Sequence, residues 1–485
     1  MTQAWEIENF LEVKNGRLMI DGVNAVDLTR EHGSPLFVFS ESRIRHNIAR
    51  IARAQQYIEC PLKVCYAAKA MSTMAVLRAV RDAGIDIEVN SGGELWKAMK
   101  VGFRGDQIIF NGTSKEVWEI ENAINAEIYA IQVDSLYELS LIEEAARRLG
   151  KKANVSLRLV PEIETDTHSG LQTALLTSKF GMMPHEAFSA FRKYKNSQYL
   201  DLCGIHLHIG SQNPDPVAYT AALEVLYEGL RRIYHETGRP LRHVNLGGGF
   251  PVHYLRDRTH RPEFPDDQRQ MFEADFEPAE AIGAAWHAIR EAVGSAEDKH
   301  LFGDLTLLVE PGRSIIADAG ICLTTVRNAK QRPVQGGSPP YEGGVADASS
   351  DGVVLSNDNW LLTDAGFNIL LSMETYKWYY HLISAERAGQ PHNFPYKLAG
   401  PLCDGGDVYF DIEGEHRLPD HRLLPSDVQP GELLALLNCG AYSLAQASQY
   451  NGRFLPAVVL IRENREAELI RKRDEFENLI VNDRY

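Results

Sequence analysis

Between Pro35 and Phe302, short apolar runs alternate with longer segments of helical period, and this alternation narrows the fold more than any other feature of the chain. The runs Leu36 to Phe39, Gln107 to Phe110, Ile128 to Val133, Val155 to Val160, Gly204 to Ile209 and His243 to Leu246 read as strands. Between them Met74 to Ala83, Leu136 to Leu149 and Tyr219 to His235 repeat apolar residues at three- and four-residue steps, the spacing of one helix face. This is the rhythm of β-α units on a parallel sheet, and eight such units close a barrel whose strand C-termini present ligand groups. After about Leu305 the pattern changes to short β-rich runs, Leu305 to Val309, Ile321 to Arg327, Asn359 to Thr363 and Glu432 to Leu437, broken by turn residues. The expected fold is α/β, with a (β/α)8 TIM-type barrel over residues 35–304 and a β-rich domain over residues 305–485. The stretch from Gln335 to Asp351, with Gly-Gly-Ser-Pro-Pro and a further Gly-Gly, reads as a flexible insertion.

Charge and composition exclude several function classes. A net charge of -16 repels phosphate backbones and anionic lipid surfaces, so nucleic-acid and membrane-surface partners are not expected. Residues 1–10 carry acids and lack the basic end and apolar run of a signal peptide, and no run of about eighteen apolar residues occurs, which points to the cytoplasm. Six cysteines without a CxxC pair are too sparse for a disulfide scaffold and disfavour zinc, so no metal is expected.

The residue types that carry chemistry fall at strand ends. Lys69 closes the apolar run Val64-Cys-Tyr-Ala-Ala, where desolvation is expected to lower its proton affinity and make it a nucleophile toward an aldehyde. Gly247, Gly248 and Gly249 follow a strand and leave backbone amides open to a phosphate, without the spacing of a dinucleotide or ATP site. His206, His208 and Ser211 follow another, where an imidazole can stack on an aromatic ring and a hydroxyl can donate to phosphate. Glu310 and Arg313 sit together after Leu305 to Val309, and a glutamate facing a pyridine nitrogen would keep it protonated. In Cys403-Asp404-Gly-Gly-Asp407 a thiol can donate a proton and a carboxylate can bind an ammonium.

Tyr66-Ala-Ala-Lys69-Ala, Ser91-Gly-Gly-Glu94-Leu, Ser178-Lys-Phe-Gly181, His208-Ile-Gly-Ser211, Gly247-Gly-Gly249-Phe-Pro, Glu310-Pro-Gly-Arg313, Gly400-Pro-Leu-Cys403 and Gly440-Ala-Tyr442 occur in this order. Together they resemble the fold type III pyridoxal-phosphate decarboxylases, the family of diaminopimelate, ornithine and arginine decarboxylases. The resemblance implies pyridoxal 5'-phosphate as cofactor, a β domain completed by residues 1–34, and a homodimer with active sites at its interface. It implies that Lys69 carries the cofactor as a Schiff base, His208 stacks on the ring and Glu310 pairs with the ring nitrogen. Ser211, Gly247 to Gly249, Arg313 and Tyr442 would hold the phosphate or groups beside it. Cys403 and Asp404 would reach in from the second subunit, with Cys403 returning a proton to the carbon that has lost CO2.

The substrate implied is a small amino acid, bound by Arg313, Ser372, Tyr376 and Asp404. Diaminopimelate decarboxylases have an arginine where this chain has Ser372, in Asp364-Ala-Gly-Phe-Asn-Ile-Leu-Leu-Ser372, and a glutamate where it has Asp404. A hydroxyl does not replace a bidentate guanidinium on a carboxylate. His168, Phe180 and Gln449-Tyr-Asn451 nonetheless resemble the diaminopimelate branch, which acts at a D-configured carbon. The expectation is a D-lysine or D-ornithine decarboxylase. The alternatives are meso-diaminopimelate decarboxylation, a racemase of similar fold, and a relative that binds the cofactor without turnover.

Overall fold

Eight parallel strands close into a barrel in sequence order: β1 (Leu62–Ala67), β2 (Asp86–Val89), β3 (Ile108–Phe110), β4 (Ala130–Val133), β5 (Ala153–Arg158), β6 (Leu200–His206), β7 (His243–Asn245) and β8 (Thr306–Val309). The computed structural model describes residues 3–160, 178–256, 260, 263–292, 299–333 and 357–484; His168 and the segment Gln335 to Asp351 lie outside them.

Local sequence explains how helices start where strands stop. Ser91 and Ser135 cap the helices Gly92–Val101 and Leu136–Leu149 by accepting from the amides of Glu94 and Glu138. Each glutamate reaches back to the amide just before the cap, Glu94 to Asn90 (2.8 Å) and Glu138 to Asp134 (2.7 Å). The strand ends are thereby clamped, and the residues that leave the barrel mouth are held in place.

Two runs lie across the boundary that the sequence pattern suggested. Leu36–Ser40, expected in the barrel, pairs antiparallel with Gly320–Pro333 and parallel with Ala457–Ile461 in the β-rich domain. Thr306–Val309, expected in that domain, is the eighth barrel strand and joins β7 to β1. Both are short apolar runs buried on two faces, so periodicity could not tell which sheet would claim them. Strand β2 went unread because Asp86-Ile-Glu88-Val alternates acids with aliphatics, yet Glu88 is fully buried inside the barrel.

Chain ends and middle meet in the β-rich domain, where Trp5, Phe10 and Leu18 share one core with Leu36, Ile321, Leu433 and Val459. Five of the six cysteines are buried thiols and Cys403 is exposed. Among the described residues no helix is long and apolar enough to cross a membrane, and no group of three acidic, histidine or cysteine side chains is arranged to hold a metal ion.

Candidate active site

A cavity of about 360 Å³ opens at the C-terminal ends of the barrel strands. Lys69 enters it after β1, Asn90 after β2, Asn111 after β3, Arg158 from the end of β5, His206 and His208 from β6, Gly248 and Gly249 after β7, and Glu310 after β8. The strand ends therefore act together, as a closed parallel barrel requires.

The lysine wall is a chain of buried polar groups. Lys69 Nζ stands 3.8 Å from Glu88 Oε2, and the side chain, 46% exposed, lines the cavity. Glu88 and Glu310 share one amide, for Asn111 Nδ2 donates to Glu88 Oε1 at 2.8 Å and to Glu310 Oε2 at 2.9 Å. Asn245 Nδ2 donates to Glu310 Oε1 at 2.7 Å. Burial and the Glu88 charge push the Glu310 carboxyl well above the ordinary carboxylate range, against the pull of Lys69 and of the two amides.

Lys69 corrects an expectation. Burial does pull its proton affinity down, but Glu88, then Tyr442 and Glu310, raise it further than burial lowers it, so the net direction is upward. The Glu88 carboxylate beside it therefore favours the ammonium form of the amine. Burial, with Lys69 and Arg158, holds the His208 imidazole well below its ordinary value, so it is a neutral ring.

Two glycines and a buried guanidinium also line the cavity. A Cβ on Gly248 would stand 2.3 Å from the Glu310 carbonyl oxygen, and one on Gly249, where φ is +96°, would stand 2.2 Å from that of Gly210. The triplet is glycine because neighbouring strand ends press on it, as well as for access to a ligand. Gly247, expected with the other two, does not line the cavity: its amide donates to Asn245 Oδ1 (2.9 Å), and it lies under His208. Arg313, buried, donates to Ser211 Oγ (3.3 Å) and Tyr254 OH (3.1 Å) and lies over the rings of Trp378 (4.1 Å) and Tyr442 (4.9 Å). Tyr442 takes a left-handed backbone, φ +58°, that an aromatic residue adopts only under constraint, and its amide donates to the Ala70 carbonyl beside Lys69.

Ser372 and Tyr376 bring the β-rich domain to the cavity; Ser372 Oγ is 3.4 Å from Gln446 Oε1. Cys403 and Asp404 are not brought there by their own chain. They lie on an exposed turn, with the Cys403 amide donating to Asn451 Oδ1 (2.7 Å) and Asp404 accepting from Tyr450 OH (3.1 Å). Glu88, Asn90, Asn111 and Arg158 were not anticipated, and their one sequence signal is a polar or charged residue at or just past a barrel strand end. Phe180, named from the sequence only as part of the resemblance, lies 4.3 Å under the Arg158 guanidinium.

The donor set fits pyridoxal phosphate. A primary amine and a buried carboxyl share one wall, Glu88 Oε2 has no hydrogen-bond donor among the described residues, and a neutral imidazole, a glycine turn and a stacked guanidinium stand in the same cavity.

The family model described as pyridoxal-dependent decarboxylase, pyridoxal binding domain, matches residues 43–317. Diaminopimelate decarboxylase of Bacillus subtilis is 31% identical, covering 96% of this chain and 95% of its own length. That of Methanocaldococcus jannaschii is 31% identical over 98% of this chain and 96% of its own. The crystal structure of the M. jannaschii enzyme in complex with L-lysine matches with a TM-score of 0.78 at 30% identity, covering 98% of each chain. These full-length matches overturn the D-lysine or D-ornithine expectation. That expectation rested on Ser372 and Asp404, whereas the cavity holds two guanidiniums, Arg158 and Arg313.

Proposed function

We propose, from the premise that this chain belongs to the pyridoxal-dependent decarboxylase family and is a carboxy-lyase working with pyridoxal 5'-phosphate, that its substrate is meso-diaminopimelate and its product L-lysine. The observation that carries the substrate is the charge of the cavity. Its lining contains Lys69, Arg158 and Arg313 against Glu310, with the Glu88 carboxylate behind Lys69, so the two guanidiniums are left as the excess. A cofactor phosphate and a substrate with a carboxylate at each end match that excess of positive charge, whereas a simple diamino acid has no distal carboxylate to offer the second guanidinium.

Pyridoxal phosphate, when bound, supplies a conjugated ring that withdraws electrons from the substrate carbon losing CO2. Lys69 would bind its aldehyde carbon through Nζ, after giving a proton to Glu88. Glu310 would face the ring nitrogen, the neutral His208 would flank the ring, and Ser211, Gly248, Gly249 and Tyr442 would hold the phosphate. Gly247 would act by shaping that turn. Arg313 would reach the phosphate side or the distal carboxylate, with Ser372 and Tyr376 against the substrate chain.

Cys403 and Asp404 would enter from a second copy in a homodimer, the thiol giving a proton to the carbon that has lost CO2 and the carboxylate taking the distal ammonium.

The test is CO2 release from meso-diaminopimelate, D-lysine, D-ornithine and the L-forms of both, with chiral analysis of the amino-acid product. Preferred release from meso-diaminopimelate with L-lysine formed is expected. Faster release from a free diamino acid, or racemisation without CO2, would sink the assignment.

A further inference from the structure

A second hollow, about 600 Å³ and open to solvent, lies on the β-rich domain and shares no lining residue with the cavity containing Lys69. Three guanidiniums, of Arg327, Arg453 and Arg473, face it, with one carboxylate, that of Asp364. Asp364 is already engaged. Its Oδ1 accepts from Thr324 Oγ1 (2.8 Å) and the Thr325 amide (3.0 Å), and its Oδ2 from Ser34 Oγ (2.6 Å) and Arg327, 2.7 Å away. It pairs directly with Arg327, and its charge reaches Arg473 only at longer range.

Arg453 and Arg473 have no carboxylate within 4.0 Å among the described residues, and each uses Nη2 on backbone carbonyls: Arg453 on Pro401 (2.7 Å), Arg473 on Pro35 (2.8 Å) and His32 (3.4 Å). Burial, with Arg327 and Arg471 and against Asp364, holds the Arg473 guanidinium below its ordinary value. Uncompensated like charge gathered in a hollow is unfavourable, and it is out of character for a chain of net charge -16. A planar guanidinium fork is matched by an oxyanion.

We infer that this cavity is an oxyanion-binding site, gripped by Arg453 and Arg473 with Arg327 beside them, for a small ligand bearing a phosphate or carboxylate group. The volume leaves room for an organic body behind the anion. The ligand would rest on the backbone of Gly400, Pro401 and Leu402, the segment that runs directly into Cys403, so its occupancy would be felt by that turn through the Arg453 contact to Pro401.

The holoenzyme, whose cofactor phosphate already fills the barrel site, is titrated calorimetrically with inorganic phosphate and, separately, with glutarate. Saturable binding tighter than about 10 mM is expected from at least one, with the tighter of the two naming the group, and a weakening of about tenfold or more in Arg473→Met and in Arg453→Gln. Arg453 is exposed, so its variant keeps the test sound where Arg473→Met folds poorly. No saturable heat from either anion, or binding that both variants leave unchanged, would overturn the inference.

Discussion

The turn carrying Lys69 is surrounded by buried groups that brace one another, while the turn carrying Cys403 faces solvent and is anchored from beneath by one carboxylate. Around Lys69, Glu88, Asn111, Asn245 and Glu310 form a continuous hydrogen-bonded chain across four strand ends. Around Cys403, Asp407 does most of the holding: its side chain accepts from the Phe367 and Leu402 amides (both 2.8 Å), and its carbonyl from the Gly400 amide (2.9 Å). The first arrangement is complete within one chain, because barrel closure forces the strand ends together. The second depends on a local latch and, in the proposed dimer, on a partner.

Lys69→Ala should give the largest effect, lowering decarboxylation by at least about 10⁴-fold and removing the visible absorbance of protein-bound cofactor. Persistence of that absorbance would dismiss Lys69. Cys403→Ala should slow turnover by about 10²-fold with the absorbance unchanged, which separates the two turns directly; an undiminished rate would remove Cys403 from the proposal. Asn111→Leu, which strips an amide from two buried carboxylates at once, should destabilise the apoprotein by about 3 kcal/mol in urea melts, with little effect on reagent access to the Cys403 thiol.

The smallest effect is a slope with pH. Folded Glu310 keeps its proton above the ordinary value near 4.5, so from there upward the folded state binds more protons than the unfolded chain, and stability falls as pH rises through the elevated value. Glu310→Gln removes that loss. The wild-type apoprotein should lose roughly 1 kcal/mol more than the variant between the ordinary carboxylate range and neutrality, and parallel curves would show that Glu310 is not strained by its surroundings.

Much of this was legible in the residues, and the misses have physical causes. Helix Leu136–Leu149 was read to its ends because its apolar face, its capping Ser135 and its closing Gly150 agree. Lys69 stood out because the five residues before it, Val64-Cys-Tyr-Ala-Ala, carry no charge. Lys115, which follows the polar turn Asn111-Gly-Thr-Ser114, has its ammonium engaged by Gly112 O (2.7 Å), Gln132 O (2.8 Å) and Glu138 Oε1 (2.5 Å), which makes it a brace. Glu88 and Arg158 were missed because a charged residue in a short strand reads as surface.

By itself the sequence determined the α/β repeat, the cofactor and the strand ends that serve it, since hydrophobic period and ordered motifs are local properties carried residue by residue. Tertiary structure alone decided that Leu36–Ser40 leaves the barrel and Thr306–Val309 closes it, that the neighbouring Glu88 raises the proton affinity of Lys69 against burial, and that Arg158 joins Arg313 in lining the cavity. Each of these depends on which distant groups become neighbours, and pairing across a closed sheet is not encoded in the spacing of any one segment.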